Sequence, residues 1–135
     1  MNERPNQGTI IQQWVQKAES DFTSAKKLFT VSENCSYDTV CFHAQQCVEK
    51  YIKALLLHHR INFPKSHDIG ELIELVPKGD QIPLTPEEQS KISFYAIAGR
   101  YPIDGVEDLS RHDAELGLKI AEKVRNYIRN YLKIN

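Results

Sequence analysis

The sequence predicts an all-α protein, an up-and-down bundle of four to five helices with one short helix in a connection. Apolar residues recur at helical spacing over several segments, and the breaks between segments carry helix stop and start signals. No stretch alternates polar and apolar residues as a strand would, and no Asn-Gly or Asp-Gly turn joins two apolar runs. A chain of 135 residues fits a single domain, here 1–135 with its core at about 10–132.

Two long helices are predicted first. The first runs from about residue 10 to residue 30, and its inward positions are Trp14, Ala18, Phe22, Ala25 and Leu28 or Phe29. After a break at Ser32-Glu33-Asn34, the second runs from about residue 37 to residue 59. Pro64 ends this segment, because the residue before a proline avoids the helical conformation.

Three further segments follow. The third helix is expected to begin after Ser66 as N-cap and to carry Ile69, Leu72, Ile73 and Leu75. Thr85-Pro86-Glu87-Glu88 is a strong start signal for the fourth, which runs to about residue 98 with Ile92, Tyr95 and Ile97 inward or nearly so. Gly99 closes it. The fifth starts after Ser110 and reaches the C-terminus, with an inward side formed by Ala114, Leu118, Ala121, Val124, Ile128 and Tyr131.

The second helix has two chemically different faces. One face is apolar and predicts a core contact; it comprises Val40, Ala44, Cys47, Val48, Tyr51, Ala54 and Leu55. The opposite arc, called the polar strip below, comprises His43, Gln46, Glu49, Lys50 and Lys53. The strip is either a solvated face, a buried network or a site for an anionic ligand or second subunit. The wide apolar arc, together with the aromatic residues Phe42, Phe63, Phe94 and Tyr95, predicts a dimer.

Composition excludes several classes of protein. The net charge of −1 excludes a strongly basic nucleic-acid binder, so any RNA contact must come from a local patch. No apolar run is long enough for a membrane span, and residues 1–8 lack the apolar core of a signal peptide, so the cytoplasm is expected. The cysteines, Cys35, Cys41 and Cys47, have no metal-binding spacing. Neither a metal site nor a cofactor is predicted.

Four motifs occur in a fixed order: Trp14-x3-Ala18-x2-Asp21, Phe42-His43-Ala44-Gln45-Gln46-x2-Glu49-Lys50-x2-Lys53-Ala54-x-Leu56, Ser66-His67-Asp68-Ile69-x2-Leu72 and Arg100-Tyr101-Pro102. In this order they resemble the HEPN domain, the nucleotide-binding domain shared by higher eukaryotes and prokaryotes. The resemblance implies a helical bundle that dimerises. It also implies a frequent partner, a minimal nucleotidyltransferase, and in some pairs a toxin–antitoxin relation.

Toxic members of that family are metal-independent ribonucleases, in which four to six residues stand between an arginine and the histidine that follows it. Arg100 lacks a histidine at this spacing, because His112 lies too far along. Arg60 and His67 do have the spacing, but in the connection between the second and third helices. These two residues are therefore either a catalytic pair or a helix-end cation and a packed histidine.

The sequence favours an accessory protein over an enzyme. We expect a homodimer that binds a nucleotide-like ligand, a minimal nucleotidyltransferase or both, through the polar strip together with Arg100 and Tyr101. Arginine binds phosphates and stacks on bases, and tyrosine offers a ring and a hydroxyl. The alternative is an endoribonuclease toxin that uses Arg60 and His67. A purely structural dimer is the third interpretation.

Overall fold

A computed structural model describes residues 6–31 and 33–134. Within these residues the secondary structure is entirely helical: α1 is Gln7–Phe29, α2 Tyr37–His58, α3 Ile69–Glu74, α4 Pro86–Ala98 and α5 Arg111–Tyr131. The all-α prediction is confirmed. The predicted break at Ser32 and most of the N-terminal segment considered for a signal peptide, residues 1–5, lie outside the described residues.

Capping residues explain where α3, α4 and α5 begin. Thr85 and Glu88 form the predicted capping box of α4, and Ser110 and Asp113 form one at the start of α5. The third helix is present as predicted, but Ser66 was wrong as its N-cap. Its N-cap is Asp68, whose side chain accepts a hydrogen bond from the Glu71 amide, whereas Ser66 Oγ accepts one from the Asp68 amide.

Contacts at the helix ends establish an up-and-down arrangement. The Gln7 side chain of α1 donates a hydrogen bond to the carbonyl of Leu57, at the far end of α2, so these helices are antiparallel. The end of α4 lies against Asp38 at the start of α2, so α4 is also antiparallel to α2. The two ends of α5 contact the corresponding ends of α2, so these helices run parallel. The Leu109 amide donates a hydrogen bond to the Asp38 carboxylate at one end, and the Tyr131 hydroxyl is hydrogen-bonded to the His59 imidazole at the other.

The central element of the bundle is α2, which packs against all four other helices. Its apolar face is fully buried, as predicted. The interpretation of the opposite arc as a solvated face is wrong, however, because Glu49 and Lys53 are only 4% and 6% exposed. The arc is covered by Trp14 of α1 and by Phe63 and His67 of the α2–α3 connection.

The outer face of α4 departs from the prediction. Ile92 and Tyr95 are buried, but Ile97, expected inward, is 53% exposed, and Phe94 is 39% exposed. The apolar arc of α2 and most of the aromatic residues named with it therefore no longer indicate a dimer. The α2 arc and Tyr95 are buried within this one chain, and Phe63 packs against Trp14. Of the aromatic side chains named for the dimer, Phe94 is the one classed as exposed.

No helix among the described residues has both the length and the apolar character needed to cross a membrane. The three cysteines are free, with Cys41 and Cys47 buried. Burial raises the pKa of both of these thiols, to about 12 for Cys41, which keeps them protonated and unreactive.

Candidate functional site

Asp21 of α1 holds one half of the polar strip. Its carboxylate contacts His43 Nδ1 at 2.8 Å and Lys50 Nζ at 2.6 Å, and the residue is 8% exposed. The sequence-based list of site residues did not include Asp21. Its position in the sequence could have indicated a role, because Asp21 lies on the buried face of α1 between Ala18 and Phe22, where a carboxylate requires a partner.

Glu49 is the centre of the other half. Its Oε1 accepts a hydrogen bond from Gln45 Nε2 at 3.0 Å and lies 2.6 Å from His67 Nδ1, while its Oε2 accepts one from Lys53 Nζ at 3.0 Å. Gln46 extends the chain by donating to Gln45 at 2.7 Å. Burial raises the pKa of Glu49, but these three partners outweigh burial and leave the pKa below its ordinary value. This half of the strip is thus a satisfied buried network.

Two aromatic rings enclose the Lys53 ammonium. Nζ lies 5.4 Å from the centre of the Phe63 ring and 5.8 Å from that of Trp14, and these rings meet edge to face. Cation–π contacts and the Glu49 carboxylate together compensate the loss of water around the charge. Lys53 is consequently a structural cation whose charge is already neutralised within the fold.

A pocket opens beside this network, between α1 and α2. It has a volume of about 420 Å³ and is lined by Gln13, Trp14, Lys17 and Lys50. Lys17 is exposed and has no ion-pair partner among the described residues. The Lys50 side chain is 24% exposed and is fixed by Asp21. The pocket therefore combines an indole ring, an amide and two cations, one positioned by a buried carboxylate and one free to move.

Arg60 and His67 do not form a contacting pair. Arg60 is exposed just beyond the end of α2, in the left-handed conformation with φ of 58°. No hydrogen bond or ion pair joins it to His67 within the part of the chain that the structure describes. The His67 side chain is 53% exposed. With Nδ1 directed to Glu49, its second ring nitrogen lies on the opposite side of the imidazole, away from that carboxylate.

Arg100 and Tyr101 lie beside the first turns of α2. The Arg100 guanidinium is 5.2 Å from the centres of both the Phe42 and the Tyr101 rings, and its Nε donates to the Ala96 carbonyl at 2.9 Å. Phe42 in turn contacts the His43 ring. Seven residues of helix separate His43 from Lys50, but the Asp21 carboxylate contacts both side chains. The predicted site residues therefore fall into three groups along α2, one on Asp21, one on Glu49 and one, Arg100 and Tyr101, beside Phe42.

Comparisons with known proteins agree on one family. The HEPN domain model matches residues 11–131. A protein of Methanocaldococcus jannaschii named "Putative toxin MJ1304" is 30% identical in an alignment that covers 89% of this chain and 86% of that protein.

Two solved structures are similar in fold. TT1696 from Thermus thermophilus has a TM-score of 0.73 at 23% identity, covering 89% of this chain and 96% of that one. ST0689, described as an archaeal HEPN homologue, has a TM-score of 0.65 at 20% identity, covering 90% of this chain and 97% of the other.

Proposed function

The chain belongs to the HEPN domain family, and from this premise we propose that it is a homodimeric binding protein that takes a nucleotide-like anion in the α1–α2 pocket. The observation that carries this proposal is the composition of that pocket, with Trp14 beside Lys17 and Lys50. The ring can stack on a base and the ammonium groups can contact phosphate oxygens. No catalytic step is assigned to this site.

The buried network gives the pocket its shape. Asp21 fixes the Lys50 ammonium through an ion pair. Phe63, which contacts Lys53, packs edge to face against Trp14 and so supports one side of the indole ring. A ligand phosphate therefore meets cations and an aromatic ring that are already positioned, which lowers the entropy lost on binding. Glu49 and Lys53 support the site from within, while Lys17 and Lys50 contact the ligand.

We also propose a protein partner and a compartment. The M. jannaschii relative is named as a toxin, and we propose that this chain forms part of a toxin–antitoxin-like module. In that module the chain would bind a minimal nucleotidyltransferase in the cytoplasm, through the face that includes Arg100 and Tyr101.

Trp14 provides the test of ligand binding, because it is the only tryptophan in the chain. Titration with ATP and with GTP should change its fluorescence, and calorimetry should give the same dissociation constant. Lys17→Ala and Lys50→Ala should each weaken binding about tenfold or more, as expected for a lost hydrogen bond between charged groups. Each should also reduce the salt dependence of binding.

Lys119→Ala is the matched control, because Lys119 is exposed on α5 and does not line the pocket. Its affinity should equal that of the wild type. A flat titration with every nucleotide, or equal losses in the control and the pocket variants, would remove the binding proposal.

A second function, metal-independent cleavage of RNA, is favoured by one observation. His67 is half-exposed and is oriented by the buried carboxylate of Glu49, the arrangement by which proteins hold a general base. RNA cleavage in the presence of a chelator, lost in His67→Ala but retained in Arg60→Ala, would identify His67 as that base. If the wild type is inert, His67 serves only to fix the α2–α3 connection.

A further inference from the structure

The Asp21 carboxylate is shared between two groups that can carry a positive charge. Its Oδ1 lies 2.8 Å from His43 Nδ1, and its Oδ2 accepts a hydrogen bond from Lys50 Nζ at 2.6 Å. Lys50 lines the α1–α2 pocket, whereas His43 does not. Because both groups interact with one buried negative charge, a change at either of them alters the electrostatic environment of the other.

We propose that the binding of a phosphate group in the α1–α2 pocket is coupled to the uptake of a proton by His43, through the shared carboxylate of Asp21. The inference rests on the proposed function, because it requires an anion on Lys50, and it adds regulation by pH to that site. Asp21 acts here as a positioning residue that does not itself contact the ligand. The proton comes from solvent, which reaches the His43 side chain because 31% of its surface is exposed.

The charge balance around Asp21 determines the direction of this coupling. In the free chain the Lys50 ammonium compensates the carboxylate from one side. A ligand phosphate that contacts Lys50 competes for this ammonium and adds negative charge of its own. Both effects favour a further positive charge beside Asp21, and the group in contact there is an imidazole, the side chain that ordinarily gains its charge near neutral pH.

The orientation of the His43 ring determines which nitrogen takes up the proton. A carboxylate can only accept, so Nδ1 carries the hydrogen that points to Asp21, and the lone pair of the neutral ring lies on Nε2. Nε2 therefore gains the proton. The protonated ring keeps the same bond to Asp21, so the coupling requires no movement of the helices. The Phe42 ring, 5.7 Å from the imidazole, favours a cation beside it.

The charged groups around the His43 ring come from three elements. Asp21 lies on α1 and Lys50 on α2, and Arg100 follows α4, with the Phe42 ring in contact with both its guanidinium and the imidazole. Cys47, one turn after His43, adds no charge, because burial raises the pKa of its thiol. Arg100 opposes protonation of His43 with or without a ligand. The change on binding therefore arises at Lys50.

Calorimetric titration of the full chain with ATP, in two buffers that differ in ionisation enthalpy, measures the proton uptake. For a histidine that titrates near pH 6.5 and binds its proton about tenfold more tightly in the complex, the uptake at pH 7 is about half a proton. The wild type should exceed His43→Asn by about this amount. The asparagine amide can still donate to Asp21 but does not titrate, and subtracting this variant removes the protons exchanged by ATP itself.

The affinity should change with pH in the same direction. The ratio of the dissociation constant of His43→Asn to that of the wild type should be about sixfold larger at pH 6 than at pH 8, because protonation strengthens binding at low pH and this gain is lost as the pH rises. His112→Asn is the matched control, since His112 is exposed at the start of α5 and does not contact Asp21. It should keep the uptake and the affinity of the wild type.

A measurement on the wild type covers the case in which His43→Asn does not fold. The NMR signals of the His43 ring should then titrate at higher pH with ATP present than without it. Identical titration of this ring in the free and the bound chain overturns the coupling.

The remaining outcomes separate the coupling from the proposed function. ATP binding with equal proton uptake in the wild type and His43→Asn overturns the coupling and leaves the pocket intact. An uptake that is lost in His67→Asn but kept in His43→Asn also overturns it, because His67 contacts Glu49 rather than Asp21. A chain that binds no nucleotide overturns both the pocket and the coupling.

Discussion

At the scale of single residues, Glu49 shows how one buried carboxylate can organise a site. It binds Gln45 and Lys53 on its own helix and His67 on the α2–α3 connection. The free energy of burying the Glu49 carboxylate is compensated only when all of these partners are present. A buried ion pair adds little net stability compared with apolar residues, but loss of one partner leaves an uncompensated charge in the protein interior.

Glu49→Gln should therefore destabilise the fold by about 3 kcal/mol at pH 7, because it leaves the Lys53 ammonium buried without a carboxylate. Urea unfolding monitored by circular dichroism measures the difference. Glu122→Gln, an exposed carboxylate on α5, is the control and should change stability very little. A Glu49→Gln variant as stable as the control would mean that Lys53 finds water or another acceptor.

The effect of Glu49 should also depend on pH. The pKa of Glu49 in the folded chain is lowered from the ordinary value of 4.5, so its stabilisation is complete above about pH 4.5 and is lost as the pH falls through the folded pKa. The stability difference between the wild type and Glu49→Gln should accordingly be smaller at a pH of about 3.5 than at pH 7. A difference independent of pH would contradict a lowered pKa.

At the scale of helices, α4 and α2 approach each other closely at Gly99. The backbone of Gly99 is in the ordinary right-handed region, with φ of −75°, so conformational freedom is not the reason for glycine here. A Cβ at this position would lie 2.8 Å from both the Asp38 carbonyl oxygen and Phe42 Cβ, and 2.7 Å from the Tyr95 carbonyl oxygen. Glycine is required because the backbone of another helix occupies that space.

A graded series of alanine substitutions tests this explanation. Gly99→Ala should cost about 1–3 kcal/mol, because the helices must move apart. Gly117→Ala should be nearly neutral, since a mild contact with Tyr95 offsets a gain in helix propensity of about 1 kcal/mol. Gly79→Ala, with open space around it, is the control. Thermal unfolding ranks the three variants, and an unaffected Gly99→Ala would show that the helix ends adjust freely.

At the scale of the whole molecule, the position of α2 makes the fold interdependent. Besides its apolar contacts, Tyr51 of α2 donates a hydrogen bond to Glu19 of α1, and Arg125 of α5 binds the same carboxylate at 2.6 Å and 2.8 Å. Burial alone would raise the pKa of Glu19. The hydrogen bonds from Arg125 and Tyr51 together have the larger, opposite effect and leave this pKa below its ordinary value, so the carboxylate stays ionised. Three helices meet at one charge.

We therefore expect the chain to unfold as a single cooperative unit, in agreement with one domain. Unfolding followed by Trp14 fluorescence, which reports on α1, should coincide with unfolding followed by circular dichroism. Leu55→Ala, at a fully buried position of α2, should lower both midpoints together, with a cost of about 2–5 kcal/mol. Two separate transitions would divide the chain into independent parts.

Local sequence patterns were enough to predict the helices, most of their ends and the apolar face of α2, because these depend on residue spacing and on capping residues within a few positions. Helical spacing along α2 also grouped the residues of the polar strip, and Gln46, Glu49 and Lys50 coincide with the family motif. The tertiary structure was needed to show what the strip is: Trp14, Phe63 and His67, distant in sequence, cover Glu49 and Lys53, and Asp21 fixes Lys50 at a pocket. The exposure of Ile97 and the close approach at Gly99 likewise depend on which helix lies against α4, and helical periodicity carries no information about a neighbour's position.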